Sequence, residues 1–450
     1  MTHLGGRMVV IGHTDVGRRA CALLSDAGHP ITHLDEPSDA ELRSALAGDV
    51  DGVAVLLHDD ILALRYCLIV EHLRPGIRMF VAMFDRTARS QLEHTVPNCV
   101  VLSPAAISVP VMVASAIAPE HAAVRRTDSS QERDWVGIDL STADASGDGA
   151  PELRLASYAL PSSLRTRGLL GRLRGQLHPY DAGSSVLLGG MFGLLAVIVV
   201  DTLVGIRHDS LIRALYDATR TTATISAPDL AEEPGVLVWG TVAALLVMGF
   251  TAAFAAGIVH HLLSGRHVAL VGRRVMPRAG HVIVVGMGQV GLRLAQELRD
   301  LGVAVVGIER FPQAQGLPLA RDLGIPVLIG DATSRRTLAR AGLSRAAALV
   351  AAGSEERDNI AIAISAAAGA PTLPVVIRAG ADDAIDETRS LFHIGPVADV
   401  NGLTAAFVTR SMLGDAPYAV IPDGDRLVCV DAAGTIGAIM PATPARCACR

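Results

Sequence analysis

The chain has 450 residues, of which 50% are apolar, 3% aromatic and 19% charged, with a mean hydropathy of +0.40. That balance excludes a disordered chain and argues against a uniformly soluble one, and so few aromatics argue against a nucleic-acid binder built on stacked bases. A net charge of −6 leaves no basic footprint over the chain as a whole, although all 39 basic residues are arginine. At ~150 residues per domain, the length predicts about three domains.

The first predicted unit covers residues 7–118. Its opening run, RMVVIGHTDVGRRACALLSDAGHPITHLD, reads as strand, turn, helix and strand, with Gly12 and Gly17 bounding the turn and Asp35 closing the second strand. Residues 127–149, rich in Ser, Asp and Gly, read as a linker, and residues 164–177 as a basic helix at a membrane surface.

Two uncharged stretches follow. Residues 184–200 carry no charge over 17 positions and continue past Asp201 to Gly205, and residues 234–259 carry none over 26. Crossing ~30 Å of hydrocarbon takes ~20 helical residues, so both are predicted to span. Arg165, Arg167, Arg172 and Arg174 precede the pair, and Arg266, Arg273, Arg274 and Arg278 follow it. The connection is net acidic, with Arg207, Arg213 and Arg220 against Asp209, Asp217, Asp229, Glu232 and Glu233. This asymmetry predicts a multi-pass protein of the cell membrane with both termini cytoplasmic. Asp201 reads as an interfacial carboxylate and His260-His261 as a polar anchor at the span's end. Gly249 and Gly257 read either as a hinge or as close packing by small residues.

From residue 281 the run HVIVVGMGQVGLRLAQELRDLGVAVVGIE repeats the strand, turn, helix and strand of the N-terminus. Its turn, Gly286-Met287-Gly288-Gln289-Val290-Gly291, matches GxGxxG, and Glu309 closes the second strand 18 residues later. Gly286 permits the tight turn, Gly288 lets the backbone approach a pyrophosphate, and Gly291 packs helix on strand. The helix N-terminus then offers free N–H groups and a positive dipole end to the phosphates. Glu309 is suited to accept ribose hydroxyls, favouring NAD(H) over a 2′-phosphorylated cofactor.

The two runs align without gaps at a constant offset of 274, which indicates duplication of a βαβ unit. The first copy is degenerate, because Thr14 stands in the second glycine position and places a Cβ where a pyrophosphate would approach. From Asp35 to the fourth-strand residue Val53 is 18 positions, whereas Glu309 to Ala348 is 39. One helix and one strand are therefore expected to be missing, and the first copy is expected to serve mainly as a scaffold or dimerisation domain. Cys21, Cys67, Cys99 and Cys429 read as buried thiols, and Cys447 and Cys449 as a tail CxC without metal.

These residues carry a family resemblance. VVGMGQVG (284–291), GIE (307–309), GDAT (330–333), TLARAGLSRAAALVAA (337–352) and the following helix with Asn359 resemble an RCK N-terminal (TrkA-N) domain, the cytoplasmic regulator of potassium channels and Trk/Ktr-type uptake systems. The hairpin resembles the two-helix pore unit of potassium channels, which implies a short pore helix over residues 209–220 and a re-entrant loop. Thr221, Thr222, Ala223 and Thr224 then stand where the family's filter begins. The order of the three units is similar to that of actinobacterial NAD-binding, potassium-channel-like proteins. The stretch from Thr222 to Asp229 contains no glycine, and Thr224 and Ser226 occupy the two glycine positions of the family's TVGYG filter.

The expected fold is thus two α/β Rossmann-like copies with parallel doubly wound sheets, plus an α-helical two-span transmembrane hairpin. The expected divisions are a degenerate copy at 1–124, linker and basic segment at 125–183, spans and pore-like loop at 184–262, linker at 263–279, NAD-binding domain at 280–415, and a β-rich segment with tail at 416–450. The expected cofactor set is Gly286, Met287, Gly288, Gln289, Val290, Gly291, Glu309, Arg310, Asp331 and Ala332, for NAD(H) or else ATP/ADP. The resemblance implies a non-enzymatic potassium transport protein under nucleotide control, a tetramer if it forms a channel. The alternative is a non-conducting, membrane-tethered sensor or regulatory subunit, and neither reading involves nucleic acid.

Overall fold

The computed structural model describes residues 6–83, 86–126, 135–142, 151–164, 182–207, 210–223, 234–263, 276–379 and 396–442. By its contacts the chain divides into two compact units, 1–166 together with 279–450, and 167–278.

In the first unit, β1 (Arg7–Ile11), α1 (Asp15–Asp26), β2 (Ile31–Leu34), α2 (Asp39–Ala45), β3 (Val50–Val55), α3 (Asp60–Leu73), β4 (Arg78–Ala82), α4 (Arg86–Thr95), β5 (Cys99–Leu102) and α5 (Pro104–Ile117) follow in order. Helices start where side chains can satisfy first-turn N–H groups. Thr14 accepts from Gly17, Ser38 and Glu41 form a reciprocal box, and Ser103 caps α5 with Pro104 in its first turn. The strands pair in parallel in the order β2-β1-β3-β4-β5. Helices on both faces explain why these strands are apolar almost throughout.

A second, antiparallel sheet follows: β6 (Ala123–Arg126), β7 (Trp135–Thr142) and β8 (Pro151–Ser157). This corrects the expectation of a linker over 125–183. The Ser/Asp/Gly-rich composition conceals a period-2 run in β7, where Val136, Ile138 and Leu140 alternate with Gly137, Asp139 and Ser141. Ile138 is fully buried, and Leu140 and Leu153 pack against the same core. Most of the expected basic helix, residues 165–177, lies outside the described residues.

The other unit, 167–278, holds α6 (Ala182–Gly205), α7 (Leu211–Ala223) and α8 (Pro234–Leu263). α6 and α8 have a mean hydropathy of 2.3 in their spanning windows and are long and apolar enough to cross a membrane. They approach closely at small residues. A Cβ on Gly190 would come within 2.6 Å of the Phe254 nitrogen, and one on Gly257 within 2.6 Å of the Leu187 Cβ. Gly257 is therefore a packing glycine, whereas a Cβ on Gly249 would meet nothing within 4 Å. Asp201 Oδ1 accepts a hydrogen bond from Trp239 Nε1 at 3.3 Å, tying the two spans together at that depth. The His260 ring lies against Gly183.

The second α/β copy comprises β9 (Val282–Val285), α9 (Gln289–Asp300), β10 (Val305–Glu309), α10 (Gly316–Asp322), β11 (Val327–Ile329), α11 (Arg335–Arg340), β12 (Ala348–Ala351), α12 (Glu356–Gly369), β13 (Val375–Ala379), β14 (Val397–Asp399) and α13 (Val400–Met412). Its parallel sheet runs β11-β10-β9-β12-β13-β14. The first copy goes directly from α2 to β3, without counterparts of the edge strand β11 and one adjoining helix, which accounts for the shorter spacing after Asp35. An antiparallel sheet, β15 (Pro417–Asp423), β16 (Arg426–Asp431) and β17 (Ile436–Pro441), follows α13 as β6–β8 follows α5. The duplicated segment is thus longer than the βαβ core.

The copies exchange their last helices. Val109, Met112 and Val113 of α5 pack into the second copy's core with Val282, Val284 and Leu294. Leu403, Ala406 and Met412 of α13 pack into the first copy's core with Val10, Ala20 and Leu24. Arg19 on α1 is ion-paired with Asp399 at 2.5 Å, and Asp399 also caps α13 by accepting the Gly402 N–H. Cys21, Cys67, Cys99 and Cys429 are buried free thiols, and Cys447 and Cys449 lie outside the described residues.

Candidate nucleotide site

The order of the second copy's sheet reverses between β9 and β12, and the crevice of a doubly wound sheet opens at that switch, beyond the carboxyl ends of the strands. Four strand ends meet there. Gly286 follows β9, Glu309 ends β10, Asp331 follows β11, and Gly353 follows β12. Gly286 has φ +87°, a conformation that glycine adopts without steric cost. A Cβ on it would lie 3.0 Å from the Gly353 backbone, so the loop rests directly on the neighbouring strand's end. A Cβ on Gly291 would overlap the Gly286 carbonyl oxygen, which fixes α9 against the turn.

Gly288 is the cap residue of α9, with φ −74° and ψ −167°, and no side chain caps the helix. Among the described residues the N–H groups of the first turn have no side-chain partner, and a Cβ on Gly288 would meet nothing within 4 Å. Open space thus lies over the positive end of a 12-residue helix. The first copy has the same turn closed. Thr14 Oγ1 accepts the Gly17 N–H at 3.1 Å and donates to the Leu56 carbonyl at 2.8 Å. A nitrogen of the His33 ring lies 3.0 Å from the Gly12 carbonyl oxygen, and His13 stacks on that ring at 5.3 Å.

Glu309 is 8% exposed, and its carboxylate holds the loop. Oε2 accepts the Met287 N–H at 2.8 Å and Oε1 accepts the Phe311 N–H at 3.1 Å. Each oxygen keeps a further lone pair for a hydroxyl. Asp331 accepts from both the N–H and the Oγ1 of Thr333, at 2.9 and 2.8 Å, and these bonds hold its carboxyl below the usual range. Arg310 is exposed and pairs with Asp358 at 3.4 Å.

A family model for the TrkA-N domain matches residues 282–393. The chain is also similar to potassium channel protein 1 of Methanocaldococcus jannaschii, at 23% identity over 208 residues, covering 44% of this chain and 62% of that protein. An uncharacterized protein of Methanothermus fervidus is 31% identical over 117 residues, covering 26% of this chain and 18% of that protein. The chain therefore spans less than two thirds of the length of either relative. Among solved structures, the GsuK RCK domain superposes with a TM-score of 0.50 at 13% identity, covering 92% of this chain and 78% of that one, a likeness of fold.

Within the region that the TrkA-N model matches, the expected residues divide by depth. Gly288, Gln289, Arg310 and Asp331 are exposed, Gly286 is half-buried, and Glu309 is buried at the edge of the loop. Met287, Val290, Gly291 and Ala332 are buried. The Met287 side chain sits under the sheet, where a Cβ on Gly307 would lie 2.7 Å from its sulfur, and its N–H is already taken by Glu309. Met287 thus braces the turn from below.

Two further residues shape the crevice. Asn359, 1% exposed, accepts the Gly353 N–H at 3.0 Å and donates to the Gly353 and Arg378 carbonyls at 2.9 and 2.8 Å. Arg378 sits in the apolar strand β13 and donates to the Ala352 carbonyl at 3.4 Å, and burial lowers its guanidinium pKa. A charge inside the run VVIRA is a visible signal that sequence reasoning passed over.

In the 167–278 unit, the structure corrects the expected filter entrance. Thr221, Thr222 and Ala223 continue α7, which runs Leu211–Ala223 in place of the expected 209–220. Thr222 Oγ1 donates to the Ala218 carbonyl at 2.8 Å, as threonine does within a helix. Ala223 favours continuation of the helix, and Thr222, a weaker helix former, is accommodated with its hydroxyl bonded to the preceding turn. Thr224 lies outside the described residues.

Proposed function

We propose that this chain is a potassium-channel-like membrane protein whose TrkA-N domain binds NAD(H), or else ATP/ADP, to control cation movement. The observation that carries the nucleotide reading is the uncapped start of α9 under open space at Gly288, flanked by the buried carboxylate of Glu309. The pyrophosphate would take the first-turn N–H groups and the ribose hydroxyls would take Glu309. The closed loop of the first copy supports a scaffolding role there. Two apolar helices and the likeness to potassium channel protein 1 support the membrane reading, with both termini cytoplasmic and a tetramer as the conducting form. The ligand acts by binding one arrangement of the paired α/β copies more tightly than another, and the coupling cannot exceed that difference. The chain performs no catalysis in this reading. The test is rubidium flux into vesicles reconstituted with the full chain, with and without NADH. Flux that NADH changes supports the reading, and flux indifferent to NADH, ATP and ADP overturns it.

A second reading, a non-conducting membrane-tethered sensor or regulatory subunit, is favoured by the helical Thr222 and the glycine-free stretch from Thr222 to Asp229. Glycine is what lets filter carbonyls turn toward an ion path. Selective flux from the purified chain alone refutes this reading, and absence of flux with nucleotide binding intact supports it.

A further inference from the structure

A cleft of about 750 Å³ lies away from the glycine loop, where β4, β5 and α5 of the first copy meet α13 and β15 of the second. Its volume falls within the ~300–1,000 Å³ of small-molecule sites. Buried Phe80, Leu102 and Ala419 line its apolar part, with half-buried Phe407 and Tyr418 beside them.

The polar part is cationic. Arg78 donates to the Ser411 carbonyl at 3.2 Å, with its guanidinium 5.4 Å from the Phe80 ring centroid. Arg125 donates to the Tyr418 carbonyl and lies 4.0 Å over the Tyr418 ring. Arg89 also lines the cleft and pairs with Glu93. Among the described lining residues the one carboxylate is Asp415, which is ion-paired with Arg410. Arg78 and Arg125 thus hold two positive charges against carbonyls and aromatic faces, with no carboxylate among the described residues at ion-pair distance. A guanidinium held in this way keeps its remaining N–H groups for an anion, and its plane stacks on flat rings.

We propose that this cleft binds a phosphorylated nucleoside, with phosphate on Arg78 and Arg125 and the base against the Tyr418 and Phe407 side of the wall. Two guanidiniums select phosphate, and the apolar depth beside them exceeds what an inorganic anion fills. The site is built from both copies, so its occupant bridges the seam made by the exchange of α5 and α13. It is a second ligand site, independent of the glycine loop.

The test is equilibrium dialysis of the detergent-solubilised full chain against ADP, adenosine and inorganic phosphate. Two ADP per chain are expected. Gly288→Ala should weaken one of them and leave the other, whereas the pair Arg78→Gln/Arg125→Gln should weaken that other at least about tenfold and leave the loop site. Adenosine and phosphate should each bind the cleft at least about tenfold more weakly than ADP. Loss of all saturable ADP binding in Gly288→Ala overturns the proposal, as does unchanged binding in the arginine pair. Phosphate binding as tightly as ADP overturns the nucleoside assignment. If Gly288→Ala changes nothing while the arginine pair loses a site, the cleft stands and the loop reading fails. Should the arginine pair not fold, photolabelling of the unmodified chain with 8-azido-ADP decides. Label on peptides covering 97–125 or 407–420 is expected, and label confined to 286–333 overturns the proposal.

Discussion

Replacing Gly288 by alanine separates ligand approach from folding. Its φ of −74° and ψ of −167° suit any residue, and the added methyl would meet no atom within 4 Å. Alanine caps a helix less well than glycine, a cost of up to about 0.7 kcal/mol, and loss of glycine's freedom in the unfolded chain offsets about 0.4–1 kcal/mol. The net stability change is therefore expected to lie within about 0.5 kcal/mol. The same methyl occupies the space through which a pyrophosphate reaches the first-turn N–H groups. Losing one charge-assisted hydrogen bond costs about 1.5–3 kcal/mol, or roughly 10- to 100-fold in affinity. Gly291→Ala provides the contrast, because its methyl would overlap the Gly286 carbonyl oxygen and force the turn to move, at about 1–3 kcal/mol. Thermal unfolding and NADH titration of the solubilised full chain measure both quantities. Gly288→Ala binding NADH like the wild type, or unfolding as early as Gly291→Ala, refutes the reasoning.

Asn359→Leu removes three hydrogen bonds that join Gly353 to β13, so a loss of about 3 kcal/mol is expected in denaturant unfolding. His281 is fully buried, with one ring nitrogen against the Ala341 carbonyl at 2.8 Å, and burial pushes its pKa below the ordinary 6.5. The unfolded chain therefore takes up a proton before the folded one does. Stability contributed by neutral His281 is intact above about pH 6.5 and falls as pH drops from there through the native value. Unfolding midpoints measured from pH 7.5 to 5 should decline, and less steeply in His281→Gln. Burial pushes the Cys21 and Cys429 thiols up to about 12, leaving about one thiolate in ten thousand at pH 8. Iodoacetamide should label neither in the native chain over an hour, and both after denaturation.

Much of this arrangement is legible in residue order. The offset of 274 between the two glycine turns places equivalent strands and helices, and the shorter interval after Asp35 locates the strand and helix that the first copy lacks. Charge-free length alone identifies α6 and α8. What composition hides is period. β7 alternates over only eight residues within a Ser/Asp/Gly-rich stretch, so averaging over that stretch erases it. The exchange of α5 and α13 has no local signal, because either helix presents apolar residues that would fit either core. The brace of Met287 under Gly307 and the tie from Asn359 to the Arg378 carbonyl join residues on different strands and helices, which only the closed sheet brings together.

The central claim is that the open turn of the TrkA-N domain receives the nucleotide and the closed turn of the first copy does not. Hydrogen–deuterium exchange of the full chain, with and without saturating NADH, reads both turns at once. Protection of amides across 288–292 with no change across 13–18 is predicted. Unchanged exchange at 288–292 in the presence of NADH, ATP and ADP would contradict the account.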